Sequence, residues 1–187
     1  MGTAVSREAY FATGVDVLAD VGYGGLKLAE VCTRLGVTTG SFYHYFSNWA
    51  EYTHQLVEHW LTAVALDRFA DLAAEPDPHR RIELMIDLGL GLHHDACAAV
   101  RAWSSVDPRI RTAVVKLDHL RYDMVYASAL EILGDERRAD VFAKWALFML
   151  VGYEQCALPR DQDAFASLTK EHVRRALQGD NMASVPD

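Results

Sequence analysis

The spacing of apolar residues predicts helices along the whole chain, and residues 28–46 are the most informative stretch. In its first half, apolar side chains recur at intervals of three and four, on one face of a helix: Leu28, Val31, Cys32 and Leu35. Gly36 ends this helix, because glycine adopts a left-handed backbone conformation without a Cβ clash. We therefore predict a short helix that stops at a tight turn.

A second short helix follows that turn. Thr38 is a good N-cap, since its hydroxyl can accept a main-chain N–H of the first helical turn. Phe42 and Phe46 are four residues apart and face inward, which leaves the small polar and aromatic residues around them to face outward. This pattern is typical of the helix-turn-helix that lays its second helix in the DNA major groove. An ordinary helical hairpin inside a core is the alternative.

The remaining pattern is also helical. A helix capped by Ser6 precedes a glycine-rich break at residues 22–25, and a long connector helix is predicted from residue 49 to about residue 74. Further on, residues 141–153 carry one charge, so this helix is expected to be covered on more than one side. Neither strand-like alternation nor an internal repeat occurs. The predicted fold is all-α, with about nine helices.

Composition narrows the classes of protein. Of the 187 residues, 51% are hydrophobic, enough for a sizeable core. No run of 18 uncharged apolar residues occurs, and the N-terminal sequence lacks the apolar segment of a signal peptide, so we expect a soluble, cytoplasmic protein with no membrane partner. The three cysteines are widely spaced and indicate neither a disulfide framework nor a zinc ribbon.

Charge argues against strong DNA binding. The net charge is −8, and residues 1–50 hold only three basic side chains (Arg7, Lys27 and Arg34) against four acidic ones. DNA affinity depends on neutralising phosphates, so a basic surface is expected of a DNA-binding module. Hydroxyls and main-chain amides also hold phosphates, and a dimer doubles every contact. The acidic balance therefore weakens the DNA-binding interpretation without removing it.

A three-helix head ending in LGVTTGSFYHYF, a long connector helix and a divergent helical body together resemble the TetR family of bacterial transcriptional regulators. The resemblance implies a helix-turn-helix domain at residues 1–48 and a larger ligand-binding and dimerisation domain at residues 49–179. From its own sequence, the tail at residues 180–187 is expected to be disordered. The resemblance also implies a homodimer that binds double-stranded operator DNA, most simply as a repressor, and is released by an unknown small-molecule effector.

By position, the resemblance implies DNA contacts from the second helix of the motif and its surroundings: Lys27, Thr38, Thr39, Gly40, Ser41, Tyr43 and His44. Tyr43 resembles the family's phosphate-contacting tyrosine. Two departures matter, since Thr39 and Trp49 stand where the family often has a basic residue. The absence of a basic residue at both positions agrees with the net negative charge of residues 1–50. It indicates modest nonspecific affinity for DNA or a short operator footprint.

An effector site is expected in the middle helices, as an apolar pocket with a few converging polar groups. The candidates are Trp60, Met85, Leu88, Leu92, Trp103, Asp118, Arg121, Tyr122, Trp145, Met149 and Tyr153. For each Trp or Met, plain core packing is the alternative. Arg121 and Asp118 have a structural alternative as well, a salt bridge with each other or with Arg101.

The last two predicted helices suit a four-helix bundle with their counterparts in a second copy. The candidate interface residues are Phe148, Gly152, Phe165, Leu168, His172, Val173 and Ala176. Packing within one subunit is the alternative.

Metal and catalytic sites are not predicted. His93, His94 and Cys97 are close in sequence, but adjacent histidines point about 100° apart on a helix, so a polar helix end is preferred to a metal site. No nucleophile with a base, paired carboxylates or phosphate cradle is recognisable, so we expect neither an enzyme nor a cofactor. The functional alternative to a regulator is a helical small-molecule-binding or interaction protein with weak or lost DNA binding.

Overall fold

The computed structural model describes residues 5–62 and 67–178. Within these ranges the protein is all-α, which confirms the predicted fold class, and it has ten helices where about nine were expected. They are α1 (Arg7–Gly25), α2 (Leu28–Leu35), α3 (Thr39–Phe42), α4 (Trp49–Leu61), α5 (Asp67–Ala73), α6 (Pro78–Leu90), α7 (His94–Trp103), α8 (Pro108–Leu133), α9 (Glu136–Gln155) and α10 (Gln162–Gln178).

The described chain divides into two compact units. The first contains α1 to α4, α7 and the start of α8 up to Leu117, and the second contains α5, α6, the rest of α8, α9 and α10. The predicted connector helix corresponds to α4 and α5, with residues 63–66 outside the described part. The predicted tail at residues 180–187 also lies outside it, and the domain boundary after residue 48 stays a prediction.

Local sequence explains α1. The Ser6 side chain accepts a hydrogen bond from the Ala9 main-chain N–H, as predicted for an N-cap. Gly22, with φ 68° and ψ −178°, interrupts the helix at the predicted glycine break. Gly14 allows α1 and α4 to approach closely, because a Cβ there would lie 2.8 Å from Leu56 Cδ2. The start of the helix and its packing thus follow from single residues.

The first unit also packs α1 along α7. Near the end of this contact, the rings of Tyr23 and Trp103 stack with centroids 5.0 Å apart and planes inclined by 18°. Val17 and Val100 are fully buried in this unit. The three-helix head therefore shares its core with a helix that comes much later in the chain.

The second unit has its own hydrophobic cluster. Its buried members come from α6, α8, α9 and α10, and they are Ile82, Ala129, Ala139, Phe142, Val173 and Ala176. Arg81 fastens α6 to α8, since its guanidinium donates to Ser128 Oγ at 3.1 Å and pairs with Glu131 at 2.5 Å. None of the helices in the described ranges is long and apolar enough to cross a membrane.

Candidate DNA-binding surface

The turn between α2 and α3 has the predicted geometry. Gly36 lies in the left-handed region, with φ 66° and ψ 31°, and Val37 N–H donates to Cys32 O at 3.0 Å. Thr38 caps α3, because its hydroxyl accepts the Ser41 N–H at 3.3 Å. The two helices therefore form a helix-turn-helix in which the second helix, α3, is a single turn.

An aromatic core lies beneath this motif. Phe42 and Phe46 are buried, as predicted, and they pack against aromatic rings of α1 and α4. The Phe42 and Tyr10 rings meet edge to face with centroids 5.8 Å apart, and Phe46 meets Tyr52 in the same way at 5.0 Å. Edge-to-face pairs of this kind stabilise a core beyond the area they bury. The short α3 is therefore supported from below by rigid side chains.

The residues implied as DNA contacts are mostly exposed. We call this set the recognition surface: Lys27, Thr38, Thr39, Gly40, Tyr43 and His44, all of which are exposed. Tyr43, the most prominent, is 56% exposed. Ser41 differs, since it is half-buried and its Oγ accepts a hydrogen bond from the Tyr10 hydroxyl at 3.3 Å. Six of the seven implied residues are thus available to a partner.

The basic side chains of the head are largely engaged within the protein. Arg34 pairs with Glu30 at 2.8 Å and with Asp20 at 2.5 Å. Arg7 donates to the Tyr45 carbonyl at 2.7 Å and to Gln55. Lys27 makes no ion pair within the described ranges. The positive charge of the recognition surface is therefore smaller than the count of three basic residues indicates.

A polar cleft of about 490 Å³ lies beside the start of α4. Asn48, Glu51, His54, Glu58 and Arg109 are among the residues that line it. It shares no residue with the effector site predicted from the sequence, and it lacks the apolar lining expected of such a site.

The structure distributes the predicted effector residues over both units. Trp60 and Trp103 are buried in the first unit, and the other nine are in the second. Tyr122 donates a 2.6 Å hydrogen bond to Asp140, which raises the pKa of Tyr122 to about 12. Met149 is exposed, and the remaining candidates, Met85, Leu88, Leu92, Asp118, Trp145 and Tyr153, are partly buried.

Arg121 is the one predicted effector residue that is both charged and buried, with 8% of its surface exposed. Its ion-pair partner is Glu154 of α9, at 3.9 Å between Nη2 and Oε1. The salt bridge with Asp118 that the sequence offered as an alternative is not the one that Arg121 forms. Neither Nη atom has a hydrogen-bond acceptor among the described residues. Sequence reasoning missed Glu154, because a single acidic residue near the end of an apolar helix gives no sign of its partner.

The predicted dimer residues fall into two groups. Phe148, Gly152, Leu168 and His172 are exposed, and Phe165 is half-buried under Tyr153, with ring centroids 4.0 Å apart. Val173 and Ala176 are instead buried in the hydrophobic cluster of their own unit. Those two side chains face inward because α10 uses one face to cover α6, so the interface assignment is corrected for them.

No group of three or more potential metal ligands occurs in the part of the chain that the structure describes. His94 is buried at the start of α7, and Cys97 is buried one turn further along the same helix.

The geometry is that of a helix-turn-helix protein, with an exposed second helix on a packed three-helix head. Residues 11–51 match the family model for bacterial regulatory proteins of the tetR family. No curated protein matches the chain in sequence. The match covers most of α1, all of α2 and α3, and the start of α4, so this segment is similar to the DNA-binding head of that family.

Solved structures of transcriptional regulators share the fold over nearly the whole chain. A regulator from Rhodococcus sp. Rha1 is 22% identical, with a TM-score of 0.76, and the alignment covers 97% of this chain and 100% of that one. A regulator from Saccharomonospora viridis, in complex with choline, is 16% identical with a TM-score of 0.76, covering 90% and 95%. AibR, in complex with isovaleryl coenzyme A and operator DNA, is 14% identical with a TM-score of 0.66, covering 89% and 96%. At these identities the likeness establishes the shared fold.

Proposed function

We propose that the protein is a ligand-responsive transcriptional regulator that binds operator DNA through its recognition surface and acts as a repressor. The observation that carries the proposal is the exposed, capped α3 on a rigid aromatic core, inside the segment that matches the family model. The structure of AibR in complex with isovaleryl coenzyme A and operator DNA supports both the DNA binding and the ligand response that we propose.

DNA binding would divide between two kinds of contact. Tyr43 and Lys27 suit phosphates, because a phenol donates a hydrogen bond and an ammonium group adds charge. Thr39 suits a base edge, since a short polar side chain at the start of a recognition helix reaches the floor of the major groove. His44, two residues beyond the end of α3, suits a base edge or a phosphate. With few charges available, base and main-chain contacts would supply a larger share of the affinity than in a lysine-rich head.

The functional form is a homodimer. Phe148 of α9 is 69% exposed and Leu168 of α10 is 59% exposed, so pairing of these two helices with a second copy would bury both apolar side chains. We assign this face, with Gly152 and His172, to pairing with a second copy. Two-fold symmetry would then present two copies of α3 to successive major grooves, about 34 Å apart.

The effector would bind in the second unit, with Arg121 as its polar anchor. A buried guanidinium without acceptors for its Nη atoms is costly, and a ligand oxygen would relieve that cost. Tyr122 and Tyr153 add a phenol and an aromatic face among the partly buried residues of that unit. Release of DNA requires only that the effector prefer the conformation with low DNA affinity.

A second function has one observation in its favour. Two of the three basic residues of the head are tied to other residues of the head. A helical small-molecule-binding or interaction protein that has lost useful DNA affinity would show the same feature.

One experiment separates these two functions. The purified protein is used to select binding sites from a random pool of double-stranded DNA at low salt, and affinities for the selected site are compared for the wild type, Tyr43→Ala and His44→Ala. His119→Ala, an exposed histidine of α8, is the matched control. A regulator enriches a discrete sequence, and each head variant weakens binding about tenfold or more, equivalent to ~1.4 kcal/mol. A pool without enrichment contradicts DNA recognition and favours the second function.

A further inference from the structure

The recognition helix α3 is too short to fix its own orientation. It spans Thr39–Phe42, four residues, and the side chain of its cap, Thr38, accepts a single main-chain N–H, that of Ser41. An isolated helix of this length is unstable in water, because the first turn orders several dihedral angles for a single hydrogen bond. Its angle to the rest of the head must therefore be set by contacts from other helices.

Two side chains of α1 make such contacts. Tyr10 is fully buried, and its hydroxyl donates to Ser41 Oγ in the middle of α3 at 3.3 Å. Its ring also packs against Phe42, Tyr45 and Phe46. A tyrosine hydroxyl is a neutral donor at physiological pH, and burial raises the pKa of Tyr10 further above that range.

Arg7 holds the other end of α3. One Nη atom donates to the Tyr45 carbonyl at 2.7 Å, just beyond the helix, and the other donates to Gln55 of α4. The guanidinium carbon lies 4.7 Å from the centre of the Phe46 ring. A third tie comes from Tyr45, whose hydroxyl donates to the Val5 carbonyl. One arginine thus links α1, the end of α3 and α4.

We propose that Tyr10 and Arg7 are positioning residues for DNA recognition, which fix the orientation of α3, and that Ser41 acts through Tyr10 instead of by contact with DNA. This inference rests on the proposed function. It revises the role that the family resemblance implies for Ser41, and it explains why Ser41 is half-buried while its neighbours in the recognition surface are exposed.

The hydrogen bonds of Arg7 within the protein indicate a role other than contact with a DNA phosphate. Each Nη atom already donates a hydrogen bond to an acceptor in the first unit, which fixes the guanidinium against the end of α3 and against α4. A phosphate contact and a positioning residue differ in a measurable way, because only neutralisation of a phosphate contributes to the salt dependence of binding.

The role of Tyr10 is tested by a double-mutant cycle on the operator selected by the wild-type protein. Tyr10→Phe removes only the hydroxyl and keeps the ring, and Ser41→Ala removes its acceptor. We expect each single variant to raise the Kd for the operator about three- to tenfold, the double variant to be no weaker than the weaker single one, and binding to nonspecific DNA to stay within about twofold of the wild type. Multiplying effects in the double variant, or an unchanged Kd for Tyr10→Phe, would overturn the inference.

The role of Arg7 is tested by salt titration of Arg7→Met, which keeps the packing on Phe46 and loses both hydrogen bonds. We expect weaker operator binding with an unchanged slope of log Kd against log salt. Arg34→Met is the matched control, because it removes the same charge but Arg34 pairs with Asp20 of α1 and Glu30 of α2 instead of with α3. A slope reduced by about one per subunit would show that Arg7 contacts a phosphate and would overturn the positioning role.

Different results would contradict the proposed function and the positioning role. If the wild-type protein selects no operator, the proposed function is contradicted and the positioning role falls with it. If the wild type binds and Tyr10→Phe and Arg7→Met bind equally well, with thermal unfolding measured in parallel, only the positioning role is contradicted.

Discussion

The hydroxyl of Tyr52 donates a 2.8 Å hydrogen bond to the main-chain carbonyl of Tyr10, which fastens α4 to α1 beneath the recognition helix. Both residues are fully buried. We predict that Tyr52→Phe lowers the free energy of unfolding by about 1 kcal/mol, because the bond is lost while the ring packing is kept. The melting temperature should fall by roughly 2–4 °C. Tyr23→Phe, at an exposed tyrosine, is the control, and an unchanged melting temperature for Tyr52→Phe would contradict this account of the head.

The same tyrosine predicts how stability depends on alkaline pH. Burial raises the pKa of Tyr52 above its ordinary range. The folded state therefore retains a proton that the unfolded state loses above about pH 10. Its contribution to stability is complete below that pH and decreases as pH rises further. Chemical denaturation between pH 8 and 11 should show this decrease in the wild type, and a smaller one in Tyr52→Phe. Equal decreases in the two proteins would show that Tyr52 is not its source.

A substitution at Gly40 should change operator affinity without lowering the stability of the fold. A Cβ at this position would meet only Thr38 Oγ1, at 3.6 Å, which is an ordinary contact. Gly40→Ala should therefore leave stability unchanged or raise it slightly, by up to about 1 kcal/mol, since alanine favours helices. Operator affinity should fall severalfold if DNA approaches the α3 backbone closely.

Gly14→Ala provides the contrast, because its Cβ would clash with Tyr52 and Leu56 and should destabilise the fold. Thermal unfolding and fluorescence anisotropy of both variants give the comparison. Undiminished operator binding by Gly40→Ala would exclude a close approach at that residue.

The exposed apolar residues of α9 and α10 predict the oligomeric state. Phe148→Glu and Leu168→Glu place a charge on the proposed dimer face, and burying an unpaired charge is strongly unfavourable. Sedimentation should show a dimer for the wild type and a monomer for the double variant. Val115→Glu, at a 48% exposed residue of α8, should remain dimeric. A dimeric Phe148→Glu/Leu168→Glu variant would place the interface elsewhere.

Local features were predictable from sequence because their causes are local. The left-handed Gly36, the cap at Thr38 and the buried pair Phe42 and Phe46 depend on neighbours within four residues, and all were predicted. The helix-turn-helix could be recognised for the same reason.

Other features depend on which helices meet, and sequence alone did not give them. Arg121 pairs with Glu154, 33 positions away, because α8 and α9 pack in a register that periodicity cannot specify. Val173 and Ala176 share the apolar pattern of the proposed dimer face, yet they cover their own core. Counting charges likewise could not show that Arg7 and Arg34 are engaged inside the head.

Salt titration of operator binding tests the central claim most directly. Binding of the wild-type protein to its selected operator and to a scrambled sequence is measured by anisotropy from about 50 to 300 mM salt. A head that depends on few charges predicts sequence-specific binding with a shallow slope, of magnitude below about 4, whereas six to ten phosphate contacts give a much steeper one. Equal affinity for operator and scrambled DNA, or no binding at 50 mM salt, would contradict the account.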